Sequence, residues 1–83
     1  MPVIHYYSRK GCHLCELMLE ELLARIRGRV ELEVRDIDSL PEWREKYDVR
    51  VPVVEFDGQI VSEYPLDDEA IREILRKMPE KQR

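Results

Sequence analysis

Val3-Ile4-His5-Tyr6-Tyr7-Ser8-Arg9-Lys10-Gly11-Cys12-His13-Leu14-Cys15 is the stretch on which the fold turns. Its first five residues are apolar and aromatic, the pattern of a short buried central strand, and Gly11 breaks that pattern before another begins. From about Cys12 onward Leu14, Leu17, Met18, Leu22 and Ile26 recur at helical spacing. Glu21 stands four residues before Arg25, and Gly28 suits the helix C-cap. Cys12 and Cys15 are the only cysteines in the chain. Three residues apart at a helix start, their Cα atoms can fall within the roughly 4.4 to 6.8 Å that a disulfide tolerates, so one thiol can attack a partner and the other resolve the product. On the residues alone two other readings stay open, a buried structural pair and half of a four-thiolate metal site. Zinc as a rule takes four protein ligands, and the chain has no second C-x-x-C; His5 and His13 would complete a set only if folding brought them together.

Beyond this unit, Val30 to Ile37 reads as a second strand in which Val30, Leu32 and Val34 alternate with Glu31, Glu33 and Arg35, as in an edge strand with one wet face. Ser39-Leu40-Pro41-Glu42 has the spacing of a capping box, with Pro41 in the first turn of a short helix that carries Trp43 and Tyr47 inward and ends near Asp48. Val51 to Phe56 and Gln59 to Ser62 flank Asp57-Gly58, the signature of an antiparallel hairpin, and Pro65 closes that region. A last helix takes Asp67 as N-cap, sets Asp68 and Glu69 at the positive end of its dipole, and spaces Ile71, Ile74, Leu75 and Met78 for burial. Glu80 to Arg83 should fray. Tyr6, Trp43, Tyr47 and Phe56 read as core. The expected fold is α/β: strand, helix, strand, short helix, hairpin, helix, giving a four-stranded mixed sheet with helices on both faces and a right-handed parallel crossover at its start.

Eighty-three residues predict one domain over 1–83, too small for a deep substrate cavity, so chemistry should sit at the surface. Charged residues make up 39% of the chain against roughly a quarter in typical proteins, and Asn and Thr are absent, a bias that leans towards a heat-adapted source. Net charge is −4, yet residues 1–29 carry five basic and three acidic groups, so the cysteine-bearing end is the relatively positive one. No basic patch interleaves with aromatics, which speaks against nucleic acid, and no apolar run approaches the roughly 18 residues of a membrane span. The N-terminus enters a strand pattern without a charged and then apolar leader, which predicts a cytoplasmic protein. A two-cysteine chain in that reducing compartment seldom keeps a structural disulfide, heat-adapted organisms being the exception. Nothing in the polar surface asks for an obligate partner, and a monomer is expected.

Tyr7-Ser8-Arg9-Lys10-Gly11-Cys12-His13-Leu14-Cys15, then Val51-Pro52-Val53-Val54, then Asp57-Gly58, in this element order, resemble the thioredoxin superfamily and within it the small glutaredoxins. The resemblance spans nearly the whole chain. It implies a thioredoxin-like fold and a dithiol oxidoreductase that reduces protein disulfides or glutathione mixed disulfides, with no bound cofactor, glutathione as candidate cosubstrate and an external reductant. Cys12, at the helix start where free amides and the dipole favour a negative sulfur, is expected to attack; Cys15, one turn in, is expected to resolve. Arg9, Lys10 and His13 add positive potential. The family's cis-proline role falls to Val51 and Pro52, whose backbone would pair with an extended thiol peptide, and Leu14 offers a partner an apolar contact. Arg9 aligns with a basic residue suited to a glutathione carboxylate, and Asp67 or Asp68 lies near the family's acidic contact. The chain departs from the family at His13, where glutaredoxins carry Pro, at Leu14 in place of Tyr, at Arg50 in place of Thr, and at Ser62-Glu63 in place of paired glycines. Two other functions remain: a metal or iron–sulfur carrier bridged through Cys12 and a thiol cosubstrate, against which the intact pair speaks, and a non-catalytic binding module.

Overall fold

A computed structural model describes residues 2–78. Strand β1 (Val3–Ser8) leads into helix α1 (His13–Ile26), then β2 (Glu31–Asp36), a 3-10 turn (Ile37–Ser39), α2 (Pro41–Tyr47), β3 (Val53–Phe56), β4 (Gln59–Ser62) and α3 (Asp68–Lys77). The sheet order is β2-β1-β3-β4. β1 runs parallel to β2, from Val3 opposite Glu31 to Ser8 opposite Asp36, and antiparallel to β3, with Tyr6 opposite Val54. The sheet is therefore mixed, as expected, with β2 at one edge and β4 at the other.

Side-chain alternation along β1 divides the core in two. Ile4 and Tyr6, with Val54, pack against Met18, Leu22 and Ile26 of α1 and Ile71 and Ile74 of α3. Tyr7 and Val53 point to the other face and meet Ile37 and Tyr47, with Trp43 and Val51 alongside. Tyr7 stacks on Tyr47 at 4.2 Å between ring centroids and meets Trp43 edge-on at 5.6 Å. Helices α1 and α3 thus cover one face and α2 the other.

Several boundaries differ from the sequence reading. β2 is shorter than Val30 to Ile37, because Ile37 turns inward at the start of the 3-10 turn, and Val34 stays half exposed at the edge of the sheet. Ser39 makes no capping box: its hydroxyl donates to the Asp36 carbonyl, and Leu40 stands at the N-cap of α2 with no side-chain bond, Pro41 taking the first turn. β3 begins at Val53 rather than Val51. At the end of α1 the left-handed C-cap residue is Arg27, with Gly28 next at φ 75°. Of the apolar residues at helical spacing, Leu14 and Leu17 are exposed, and α1 buries Met18, Leu22 and Ile26 together with Cys15. The hairpin is as read: Asp57 (φ 56°) and Gly58 (φ 79°) both lie in the left-handed region that a two-residue type I′ turn requires. Asp67 caps α3, its carboxylate accepting from the Glu69 and Ala70 amides. The tail at 80–83, expected to fray, lies outside the described residues.

Candidate active site

The sulfur of Cys12 sits where the backbone of α1 begins. Cys12 is the N-cap residue with extended φ and ψ, and its Sγ accepts the Cys15 amide at 3.1 Å. An N-cap acceptor normally is an oxygen of Ser, Thr, Asp or Asn that satisfies one of the orphan amides of the first turn. Here sulfur does that work. Cys12 is half-buried while Cys15 is only 3% exposed, and the two are joined as a disulfide with 5.2 Å between their Cα atoms. The loop before them is tied down as well, for the Cys12 amide donates to the Arg9 carbonyl at 3.1 Å.

Below the pair stands a residue that the sequence reading placed in the core and gave no further part. Tyr6, fully buried at the centre of β1, donates its hydroxyl to the Cys15 carbonyl at 2.7 Å. Burial pushes its hydroxyl well above the ordinary tyrosine value, with Glu21 adding to the shift, so it stays a neutral donor. The available signal was a Tyr in place of Phe at a buried strand centre, since a buried O–H needs a partner.

The second predicted part of the site is the segment before β3. The Val51–Pro52 peptide is cis, as the resemblance implied, and Pro52 is buried. The Val51 amide donates to the Tyr47 carbonyl at 3.2 Å, and the Arg50 amide shares that acceptor at 2.9 Å.

The cations named from the sequence do not behave alike. Lys10 and His13 are exposed, in the loop before Cys12 and in the first turn of α1. Arg9 is bound away from the sulfur: Nε and Nη2 each reach a carboxylate oxygen of Asp38 at 3.0 Å, and Nη1 reaches Asp48 at 2.8 Å. These bonds raise the guanidinium further above its ordinary value and hold the Asp38 carboxyl below the usual carboxylate range, with Arg44 adding its charge to Asp38 from 3.4 Å. Leu14 is 43% exposed within the C-x-x-C. Asp67 is engaged as the cap of α3, while Asp68 meets Arg25 at 2.8 Å, which lowers its carboxyl.

His5 is held between two carboxylates, Nδ1 3.1 Å from Glu55 and Nε2 3.4 Å from Glu33. Among the described residues no group of three or more His, Cys, Asp or Glu is placed to hold a metal ion, and no helix is long and apolar enough to cross a membrane.

A mixed four-stranded sheet with helices on both faces, and a C-x-x-C disulfide capping the first helix, define a thioredoxin-fold protein with a redox-type cysteine pair. More narrowly, the chain belongs to the Glutaredoxin-like domain (DUF836) family, whose model matches residues 3–76. Among solved structures it is similar to structural-genomics target protein XcR50 from X. campestris, at 30% identity and a TM-score of 0.68 over 92% of this chain and 99% of that one. Thioredoxin 1 from the thermophilic eubacterium Thermosipho africanus is similar at 22% identity and a TM-score of 0.60, over 89% of this chain and 91% of the other. Mitochondrial thioredoxin 3 from Saccharomyces cerevisiae, in its oxidised form, is similar at 19% and 0.59, over 93% and 78%. At those identities the two thioredoxins speak for the fold alone. No curated protein matches the chain.

Proposed function

We propose that this protein is a dithiol thiol-disulfide oxidoreductase. In the reduced form the Cys12 thiolate attacks a disulfide of a partner, forming a mixed disulfide and expelling one partner thiolate. The Cys15 thiolate then attacks Cys12 Sγ, which closes the intramolecular disulfide and releases the second partner sulfur as thiolate. Two electrons pass from the pair to the partner, and an external dithiol or thiol reductant returns them. No bound cofactor takes part.

The observation that carries this reading is the Cys15 amide 3.1 Å from Cys12 Sγ at the N-cap of α1. A backbone donor and the positive helix end favour an anionic sulfur without adding positive charge, so they act on the attacking thiol while the nearly buried Cys15 waits one turn deeper. The Val51 backbone supports the same reading. Its amide is engaged by Tyr47, so an extended partner would pair with its carbonyl.

The test is alkylation of the reduced protein as a function of pH, with Cys12→Ser and Cys15→Ser variants, beside reduction of a disulfide substrate. Cys12 is expected to react as thiolate well below the ordinary thiol range, and Cys12→Ser to abolish turnover. Cys15→Ser is expected to trap the mixed disulfide. An ordinary thiol titration at Cys12, with turnover indifferent to both substitutions, would refute the reading.

A further inference from the structure

On the reading that Cys12 and Cys15 exchange disulfides, we infer that this site disfavours small anionic thiol partners such as glutathione and takes disulfides carried on polypeptide, because the arginines beside it are neutralised from within the chain. A forked guanidinium is the side chain suited to seize a free carboxylate. Two arginines lie on the segments that carry the cysteine pair and the cis-proline: Arg9, three residues before Cys12, and Arg50, two before Pro52. Both prongs of the Arg9 fork already hold Asp38, and its remaining nitrogen holds Asp48. Arg50 holds the Glu63 carboxylate at 2.6 Å.

An incoming carboxylate must therefore displace a partner fixed to the same chain, and it meets repulsion from Asp38, Asp48 and Glu63 on arrival. Arg9 and Arg44 against Asp38 and Asp48 sum to no charge, and so do Arg50 and Glu63. Lys10 and His13 remain, but an ammonium is a compact point charge without the fork that fixes a carboxylate in place. These two segments also expose apolar side chains. Leu14 within the C-x-x-C is 43% exposed, and Val49, between Asp48 and Arg50, is 91% exposed. An uncharged extended segment around a disulfide suits such a surface better than a tripeptide with two free carboxylates.

The experiment mixes the reduced full chain with one of two substrates in single turnover: the glutathione mixed disulfide of a small neutral thiol, or a blocked synthetic peptide disulfide with uncharged flanks. Each turnover oxidises the dithiol to the disulfide and reduces the substrate to two thiols, so no other reductant is needed. The readout is the ratio of the two second-order rate constants in wild type, in Glu63→Gln and in Asp38→Asn/Asp48→Asn. The wild type is expected to favour the peptide. Releasing either arginine is expected to raise the glutathione-to-peptide ratio about three- to tenfold at low salt. That gain should vanish near 1 M salt, where the screening length is about 3 Å. The Glu63 side chain is 42% exposed, which keeps the comparison available if the double aspartate variant fails to fold. A wild type that prefers the glutathione adduct, or a ratio unmoved in the folded variants, overturns the inference and leaves the redox reading standing. A wild type that reduces neither substrate overturns both.

Discussion

Replacing Tyr6 by Phe removes one oxygen from the interior and nothing else, and the structure says what that oxygen does. It donates at 2.7 Å to the carbonyl of Cys15, on the helix turn that carries both cysteines. The carbonyl is not orphaned by the change, since inside α1 it still meets the amide four residues on. No desolvation penalty is therefore left behind, and the loss is that of one net hydrogen bond, about 0.5 to 1.5 kcal/mol. In a domain of this size each 1 kcal/mol moves the melting midpoint by about 4 to 8 °C. Deleting the whole ring in Tyr6→Ala should instead cost about 3 to 5 kcal/mol, because the side chain is fully buried in the core between the sheet and α1. The assay is urea denaturation of the oxidised protein at neutral pH, with thermal melts beside it. A Tyr6→Phe protein as stable as the wild type, with an unchanged denaturant slope, would refute the assignment of the hydroxyl as the donor that fixes this turn.

Three further outcomes follow from the packing and the charges. Leu22→Ala should cost about 2 to 5 kcal/mol in urea denaturation whereas Leu17→Ala should cost well under 1, because α1 buries Leu22 fully and leaves Leu17 42% exposed. Equal costs would mean that the helix is rotated from the face described. Asp67→Ala should destabilise the fold by about 1 kcal/mol, since two amides of α3 lose their acceptor, while Asp67→Ser should recover most of it. The Asp38 carboxyl is held low by Arg9, so the folded state keeps it ionised after the unfolded chain has bound a proton; its contribution is present above the ordinary carboxylate pKa of about 4 and is lost as pH falls through the lower folded value. Melting temperature should therefore fall below about pH 4, and Asp38→Asn should flatten that part of the profile.

Much of this architecture is written in local patterns. The short apolar and aromatic run over Val3 to Tyr7, the run from Cys12 to Ile26 at helical spacing, Asp57-Gly58 between two apolar runs and Asp67 ahead of Ile71 and Ile74 each constrain the backbone within a few residues, and each element stands near where those patterns place it. What the local patterns leave undecided has a common cause. Along α1 the apolar residues are numerous enough to mark two overlapping stripes, one through Leu14 and Leu17 and the other through Met18, Leu22 and Ile26. Periodicity alone does not say which one meets the sheet. At Ser39 the same hydroxyl can cap a helix or close the preceding turn, and the position of Ile37 in the core favours the turn.

The sequence by itself determined that a cysteine pair opens a helix directly after a strand, and with that the placing of a sulfur among free amides, because strand, break and helix start are all encoded by neighbours in the chain. Only the tertiary structure decided what surrounds that sulfur. Tyr6 reaches Cys15 across nine positions, Arg9 finds Asp38 and Asp48 at separations of 29 and 39, and Arg50 meets Glu63 at 13. Such pairings depend on how the sheet orders its strands and which loops that order brings to one end, and a side chain with a long flexible stem has many acceptable partners until the packed backbone leaves it few.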